Sequence, residues 1–294
     1  NGRRRQRQMC IRDSLLIFVI FIMLLSKYYT DSPRGVATRT AELINKVELN
    51  KSKQIMFSLI CSLVFLIVFC LPLFQLIYWQ SSESSINLLS NINLLINSSI
   101  LGFAVGIFTI FFATALSLSY RQSNKLKLLL SISTSGYAIP GSVISAGLLI
   151  GFDAIFGTSI TIYGIFGLIL CLSLRFMTPA YNYSSSSLAN ISKSSENALS
   201  LIPSNPLKAF SSFYYPQMKS ALFLGFMIVF IESVKEQPAT LLLRPVGFDT
   251  LSTKIYNFTS EGEWEMAASP SLLLIFLSLA FVYLINKNID LNTK

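Results

Sequence analysis

The sequence predicts an all-α integral membrane protein, a bundle of six membrane-crossing helices. Three observations carry this. Hydrophobic residues make up 52% of the chain and charged residues 13%, with a mean hydropathy of +0.59, which excludes an ordinary soluble domain. A hydrocarbon core of about 30 Å takes about 20 helical residues to cross, and apolar runs near that length occur at 55–79, 94–118, 128–150, 160–181, 220–236 and 267–285. These runs do not alternate polar and apolar residues as barrel strands do. Helices satisfy their own backbone groups where lipid offers no partner, so each run is helical.

The distribution of Lys and Arg orients the six spans. Before the first span lie Lys27, Arg34, Arg39, Lys46, Lys51 and Lys53. Between the second and third lie Arg121, Lys125 and Lys127, and around the connection from the fourth to the fifth lie Arg175, Lys193, Lys208 and Lys219. Residues 80–91 and 151–159 carry neither Lys nor Arg. Positive charge gathers on the inner side, so 26–54, 120–127, 182–219 and the tail 287–294 read as cytoplasmic. The formal charge of +9 is thereby absorbed as inner-face anchoring and makes no case for nucleic acid as a partner.

The N-terminus follows a different pattern. The apolar run 15–25 makes about 16 Å of helix, too short to cross. Arg3, Arg4, Arg5, Arg7 and Arg12 precede it, and Ser26-Lys27-Tyr28-Tyr29 follows it in place of a small-residue cleavage site. Residues 1–14 read as a non-native end, 15–25 as the remnant of a preceding transmembrane helix, and 26–54 as a cytoplasmic linker.

No catalytic constellation is present in the sequence. There is no His, no Gly-x-x-x-x-Gly-Lys-Ser/Thr phosphate loop and no Gly-x-Ser-x-Gly elbow. The chain reads as a transporter subunit rather than an enzyme, binding no cofactor of its own. Any ATP chemistry then belongs to a partner. Cys61, Cys70 and Cys171 lie in spans without metal-ligand spacing and read as small buried apolar residues; the metal content stays open.

Between the fourth and fifth spans, 190–219 forms a polar, helix-capable segment. Ser192 and Ser194 are positioned to cap a helix through Glu196, Asn197, Ala198 and Leu199, with the acid in the first turn, where it suits the dipole. Pro203 and Pro206 break it, and a second short helix, 207–214, leads into the fifth span. This segment resembles the coupling ("EAA") loop of binding-protein-dependent ABC importer permeases. Asn197 stands where an Ala is usual, Ile202 where a Gly is usual, and one residue is inserted before Asn205-Pro206. The resemblance implies that Glu196, Asn197, Ala198, Leu201, Pro203, Asn205 and Pro206 form the surface docking on an ATPase.

At the end of the fifth span, Glu232, Lys235 and Glu236 fall at i, i+3 and i+4, on one helical face. Charges near a membrane core face a bundle interior or aqueous cavity, so the set reads either as a gate near the outer mouth or as a structural ion pair. Pro238 ends the helix near Gln237. The run Lys-Glu-Gln-Pro-Ala-Thr-Leu-Leu-Leu-Arg-Pro from Lys235 onward, with Ala138-Ile-Pro-Gly-Ser-Val-Ile and Arg175-Phe176, resembles the ferric-iron ABC importer permeases over about 55–286. Tyr137, Pro140, Thr240 and Arg244 join the candidate pathway on that resemblance. In the third and second spans, Gly141/Ser145 and Gly102/Gly106 have the small-x-x-x-small spacing of close packing, with a hinge at Pro140 as the other reading. Beyond the fifth span, Thr250 to Phe258 is amphipathic, and Glu261, Glu263 and Glu265 form an acidic group that reads as a solvated loop or a contact for a binding protein.

The resemblance implies a type I ABC importer permease domain, multi-pass in the bacterial inner membrane, corresponding to the C-terminal half of a fused two-lobed permease. Its partners would be an ABC ATPase dimer, a periplasmic substrate-binding protein, and a missing N-terminal half or second copy. Polyamine, thiamine and phosphonate importers share the coupling loop and are the alternatives in that class. A secondary transporter or membrane scaffold is the alternative outside it.

Overall fold

The computed structural model describes residues 50–82, 88–122, 126–157, 164–200 and 205–293, and these contain helices and turns but no strand. Residues up to Leu63 form one unit, whose described part is the first turns of a single helix; Val64–Lys294 form the other and contain every site discussed below.

The first span is α1 (Lys51–Phe65), a π-helical turn (Leu66–Cys70) and α2 (Leu71–Ser82). No residue of its apolar window is buried inside the protein. It is hydrophobic all round, as a helix bathed in lipid is. The centre of the second unit is a triad of helices packed on one another: α3 (Leu88–Gln122), α7 (Met177–Ala189) and α10 (Tyr215–Lys235). With α6 (Ile165–Arg175) they bury Leu101, Val105, Ala113, Leu168, Cys171, Leu172, Phe176, Ala180 and Val229. Water supplies no driving force between helices in lipid, so such contacts depend on close fit. Gly102 and Gly106 provide it. A Cβ at 102 would stand 2.8 Å from the Phe230 ring, and one at 106 would stand 2.6 Å from that of Phe226. The small-residue spacing in the second span therefore serves packing. Phe230 also stacks on Phe281 of α13 (Ala268–Thr293), with ring centroids 3.8 Å apart.

Among the described residues, four helices are long and apolar enough to cross a membrane, or five if the bent pair α6–α7 is one span. The third expected span differs from the sequence reading. Instead of one kinked helix over 128–150 it is α4 (Lys127–Ser133), a 3-10 turn at Gly136–Ala138, and α5 (Gly141–Phe156), only 16 residues long. Pro140 is extended (ψ 138°) and starts α5 rather than kinking its middle, because a proline needs no N–H donor at a helix start. The fourth span bends by 55° at Phe176 and runs on to Ala189, past the expected limit at 181. The tail assigned to 287–294 is helical up to Thr293, a continuation of α13. Of the cysteines expected to be buried, only Cys171 is; Cys61 is exposed and Cys70 half-buried.

The fifth span ends as expected. Glu236 is extended (ψ 118°), and Pro238 opens the short α11 (Pro238–Leu243). An amphipathic helix follows, α12 (Leu251–Glu261), started by a reciprocal capping box between Thr250 and Thr253 and closed by Gly262 in the left-handed region (φ 84°).

Candidate coupling helix and buried charge pair

Where the α7 and α10 ends meet, α8 (Lys193–Ser200) forms from the polar segment singled out above. Ser192 caps it, its Oγ accepting from the Ser195 N–H at 3.2 Å; Ser194 Oγ instead lies 3.0 Å from Ser192 Oγ. Glu196 sits in the first turn. Its carboxylate turns inward: Nε of Arg121, in the last turn of α3, donates to Oε2 at 2.9 Å and lies 2.9 Å from Oε1. The same guanidinium donates to the carbonyls of Leu188 and Ile191. Asn197 and Ala198 face outward and are exposed. Asn205 caps α9 (Pro206–Ala209), its side chain accepting from the Leu207 N–H at 3.2 Å, with Pro206 at the helix start. The second short helix expected at 207–214 is no separate element. α9 passes through a π-helical turn (Phe210–Tyr214) straight into α10. Leu201 and Pro203 lie outside the described residues.

At the opposite end of α10, three chain breaks converge: Pro140 before α5, Phe176 between α6 and α7, and Glu236 after α10. Arg175 closes α6 and reaches across to Glu236, Nε to Oε2 3.4 Å, while its Nη1 donates to the Ile139 carbonyl at 3.2 Å. Glu236 is 8% exposed, and its Oε1 has no hydrogen-bond partner. The pair rests on Gly141, where a Cβ would run into Glu236 Oε1 and stand 2.7 Å from Arg175 Nη1. The Glu236 carbonyl accepts from Thr240 Oγ1 at 2.8 Å and Ser252 Oγ at 3.2 Å, which ties α11 and α12 to the break.

This separates residues that the sequence had grouped. Glu232 and Lys235 do pair, at 2.9 Å on one face, but half in the open at 33% and 46% exposure. Glu236 leaves that face because its backbone is already extended, and it pairs with Arg175 instead. Thr240 is fully buried as a backbone clasp. Arg244 caps α11 and pairs with Asp249. Tyr137 is exposed, with its ring centroid 6.4 Å from that of Phe176, and Pro140 is exposed beside the pair. Glu261, Glu263 and Glu265 are all exposed, and 263 and 265 line a shallow depression with Trp79 and Trp264. Among the described residues no group of three or more His, Cys, Asp or Glu could hold a metal ion.

Two contacts are not legible in the charge count. Arg121 reads there as an inner-face charge without its tie to Glu196, and Arg175, although part of the Arg175-Phe176 resemblance, reads as an inner-face charge too. Arg175 instead lies at the bend of the fourth span, inside the bundle. The available signal was its place within the apolar window 160–181, the only Lys or Arg in that window.

The fold is that of an ABC transporter membrane subunit. The structure is similar to the MetNI methionine ABC transporter in an inward-facing conformation (TM-score 0.58, 16% identity, 72% of this chain and 100% of that one). It is also similar to a bacterial alginate ABC transporter in complex with a periplasmic protein bound to alginate pentasaccharide (TM-score 0.63, 12% identity, 81% and 94%). In sequence the chain is a homologue of ferric transport permeases, and with its long apolar helices it is a multi-pass protein of the bacterial inner membrane. It is 26% identical over 238 residues to the Fe(3+)-transport system permease protein FbpB 2 of Haemophilus influenzae, covering 77% of this chain. To the ferric transport system permease protein FbpB of Actinobacillus pleuropneumoniae it is 29% identical over 124 residues, 41% of this chain. The matches span 46% and 18% of those two proteins' own lengths. No family model matches the chain.

Proposed function

We propose that the chain is the membrane-spanning permease part of an ATP-driven importer whose cargo is ferric iron. The observation that carries this reading is the similarity to a ferric transport permease along 77% of the chain. ATP is hydrolysed on a separate ATPase dimer, which docks on the outward face of α8 around Asn197 and Ala198. Cargo arrives on a periplasmic binding protein. A second permease domain, carried by the same polypeptide or by a second copy, completes the pathway.

In this scheme α8 is the input and the three-break junction is the output. Rocking of α3, α7 and α10 shifts the chain ends held by Arg175 and Glu236. A buried ion pair holds only while its geometry is maintained, since each charge alone is costly to keep out of water. The pair therefore marks two discrete states, joined or parted, as a gate requires. Glu232 and Lys235, being exposed, line the approach to it.

The test is uptake of radioactive ferric iron into vesicles carrying the permease with its ATPase and an iron-loaded binding protein. ATP-dependent accumulation is expected. Accumulation of another small substrate, with none of iron, would replace the cargo and keep the class. No ATP-dependent transport of any substrate, in vesicles where the ATPase is bound and active, would sink the reading.

A further inference from the structure

We propose that Arg121 is the positioning residue that makes α8 move as one body with α3 and α7, so that force applied to α8 reaches the far end of the bundle. This rests on the importer reading above. The observation is that one side chain closes three elements. Its Nε meets Glu196 of α8, and its two terminal nitrogens meet the carbonyls of Leu188, in the last turn of α7, and Ile191, in the connection to α8. Each contact has an electrostatic reason. The C-terminal end of a helix carries the negative end of its dipole, so a cation is favoured there. Glu196, an acid in the first turn of α8, completes a charge-assisted set around one planar fork. Lysine cannot reproduce this, because an ammonium is a point charge without the fork.

The rest of the junction is built for rigidity. Only Asn190, Ile191 and Ser192 separate α7 from α8. Ile191 is buried with Leu188, Met218 and Leu222, an apolar pin beside the charged clamp. Glu196 and Leu199, three positions apart, are half-buried, while Lys193, Ser194, Ser195, Asn197 and Ala198 are exposed. A partner pressing there pushes on a helix that has no separate hinge. From Arg121, α3 runs about 35 Å, at about 1.5 Å per residue, to Ser98. There Ser98 Oγ accepts from the Leu251 N–H at 2.8 Å, and the Asn97 side chain donates to the Asp249 carbonyl at 3.0 Å. Next to Leu251, Ser252 Oγ donates to the Glu236 carbonyl. The clamp and the buried charge pair are thus the two ends of one strut.

The test compares wild type with Arg121→Met and Arg121→Lys, each purified with its ATPase and supplied with iron-loaded binding protein. Arg121→Met is expected to keep ATP hydrolysis within about twofold and to lower iron uptake per ATP at least tenfold, with Arg121→Lys between. Wild-type uptake per ATP in Arg121→Met would overturn the proposal. So would parallel loss of assembly, hydrolysis and uptake, the pattern of plain structural damage. A second arm needs no ATPase. Amide hydrogen exchange in α8 should rise at least tenfold in Arg121→Met and in Glu196→Gln, with the body of α7 and α3 unchanged. Unchanged exchange in α8 would defeat the clamp, whatever the cargo. If wild type itself shows no ATP-dependent uptake while α8 exchange still responds, the importer reading fails and the clamp stands.

Discussion

Glu236 and Gly141 occupy one space: the carboxylate lies where any larger residue at 141 would put its Cβ. Gly141→Ala is therefore expected to destabilise the protein, by about 1–3 kcal/mol for overpacking. Making room there displaces both the Glu236 carboxylate and Arg175 Nη1, and so disturbs a largely buried ion pair. Gly147, on the same helix, has open space around its Cβ position. There the higher helix propensity of alanine decides, and Gly147→Ala should be neutral or stabilising by up to about 1 kcal/mol. Thermal melting of both variants in detergent checks the contrast, and equal effects would contradict it.

Arg175→Ala removes the partner of an acid that is only 8% exposed. Breaking such a pair from one side costs about 3–5 kcal/mol, and replacing both partners with apolar groups costs far less. Arg175→Ala should lower membrane abundance and melting temperature sharply, and Arg175→Met with Glu236→Met together should recover most of the loss. If the double variant restores abundance but not iron uptake, the pair works as a gate as well as a brace.

Lys235→Ala is expected to do almost nothing to stability. Exposed ion pairs at i, i+3 contribute about 0–1 kcal/mol, and Glu232 keeps its access to solvent. A drop in melting temperature as large as that of Arg175→Ala would refute the separation of the two pairs.

Sequence alone makes the membrane class, the end of the fifth span at Pro238 and the capped start of α8 legible, because each depends on local chemistry. Hydropathy reports burial over about 20 residues, and a proline or a capping serine acts within a turn. The breaks at Gly136–Ala138 and Phe176 were not legible in that way. The 128–150 run reads as one span because it is apolar throughout; Pro140 between Gly136 and Gly141 signals a kink or hinge, but local chemistry does not say that the chain there splits into two helices. The partners of Arg121 and Arg175 are hidden for the same reason. Counting positive charges assigns sides to loops but cannot say what a guanidinium will meet 61 or 75 positions along the chain.

Impermeant maleimide applied to intact cells should label a cysteine placed at Glu263, beyond α12, and should miss one at Asn190, beside α8. Both positions are exposed on the protein, so the membrane side alone decides the outcome. Labelling at 190 from outside would invert the orientation and remove α8 from reach of an internal ATPase.

Ala198→Asp adds a charge to the outward face of α8 without touching Glu196 or Leu199. Iron uptake should vanish while insertion and melting temperature stay at wild-type values, since a charge buried against a partner without a counter-ion costs a few kcal/mol. Co-purification with the ATPase reads the effect directly, and wild-type yield would argue for a different docking surface.

The two π-helical turns share a position: each ends two residues before a proline, Pro72 after Leu66–Cys70 and Pro216 after Phe210–Tyr214. A proline in a continuing helix clashes with the carbonyl four residues back and offers that carbonyl no N–H. The wider winding, in which the Leu71 and Tyr215 N–H groups reach five residues back to Leu66 and Phe210, lets the chain continue as one rod. A π turn accommodates one more residue than the α-helix it replaces. At Phe210–Tyr214 that extra residue lies between α9 and the membrane-crossing body of α10, so the segment before the fifth span and the span itself form one unhinged rod despite the proline.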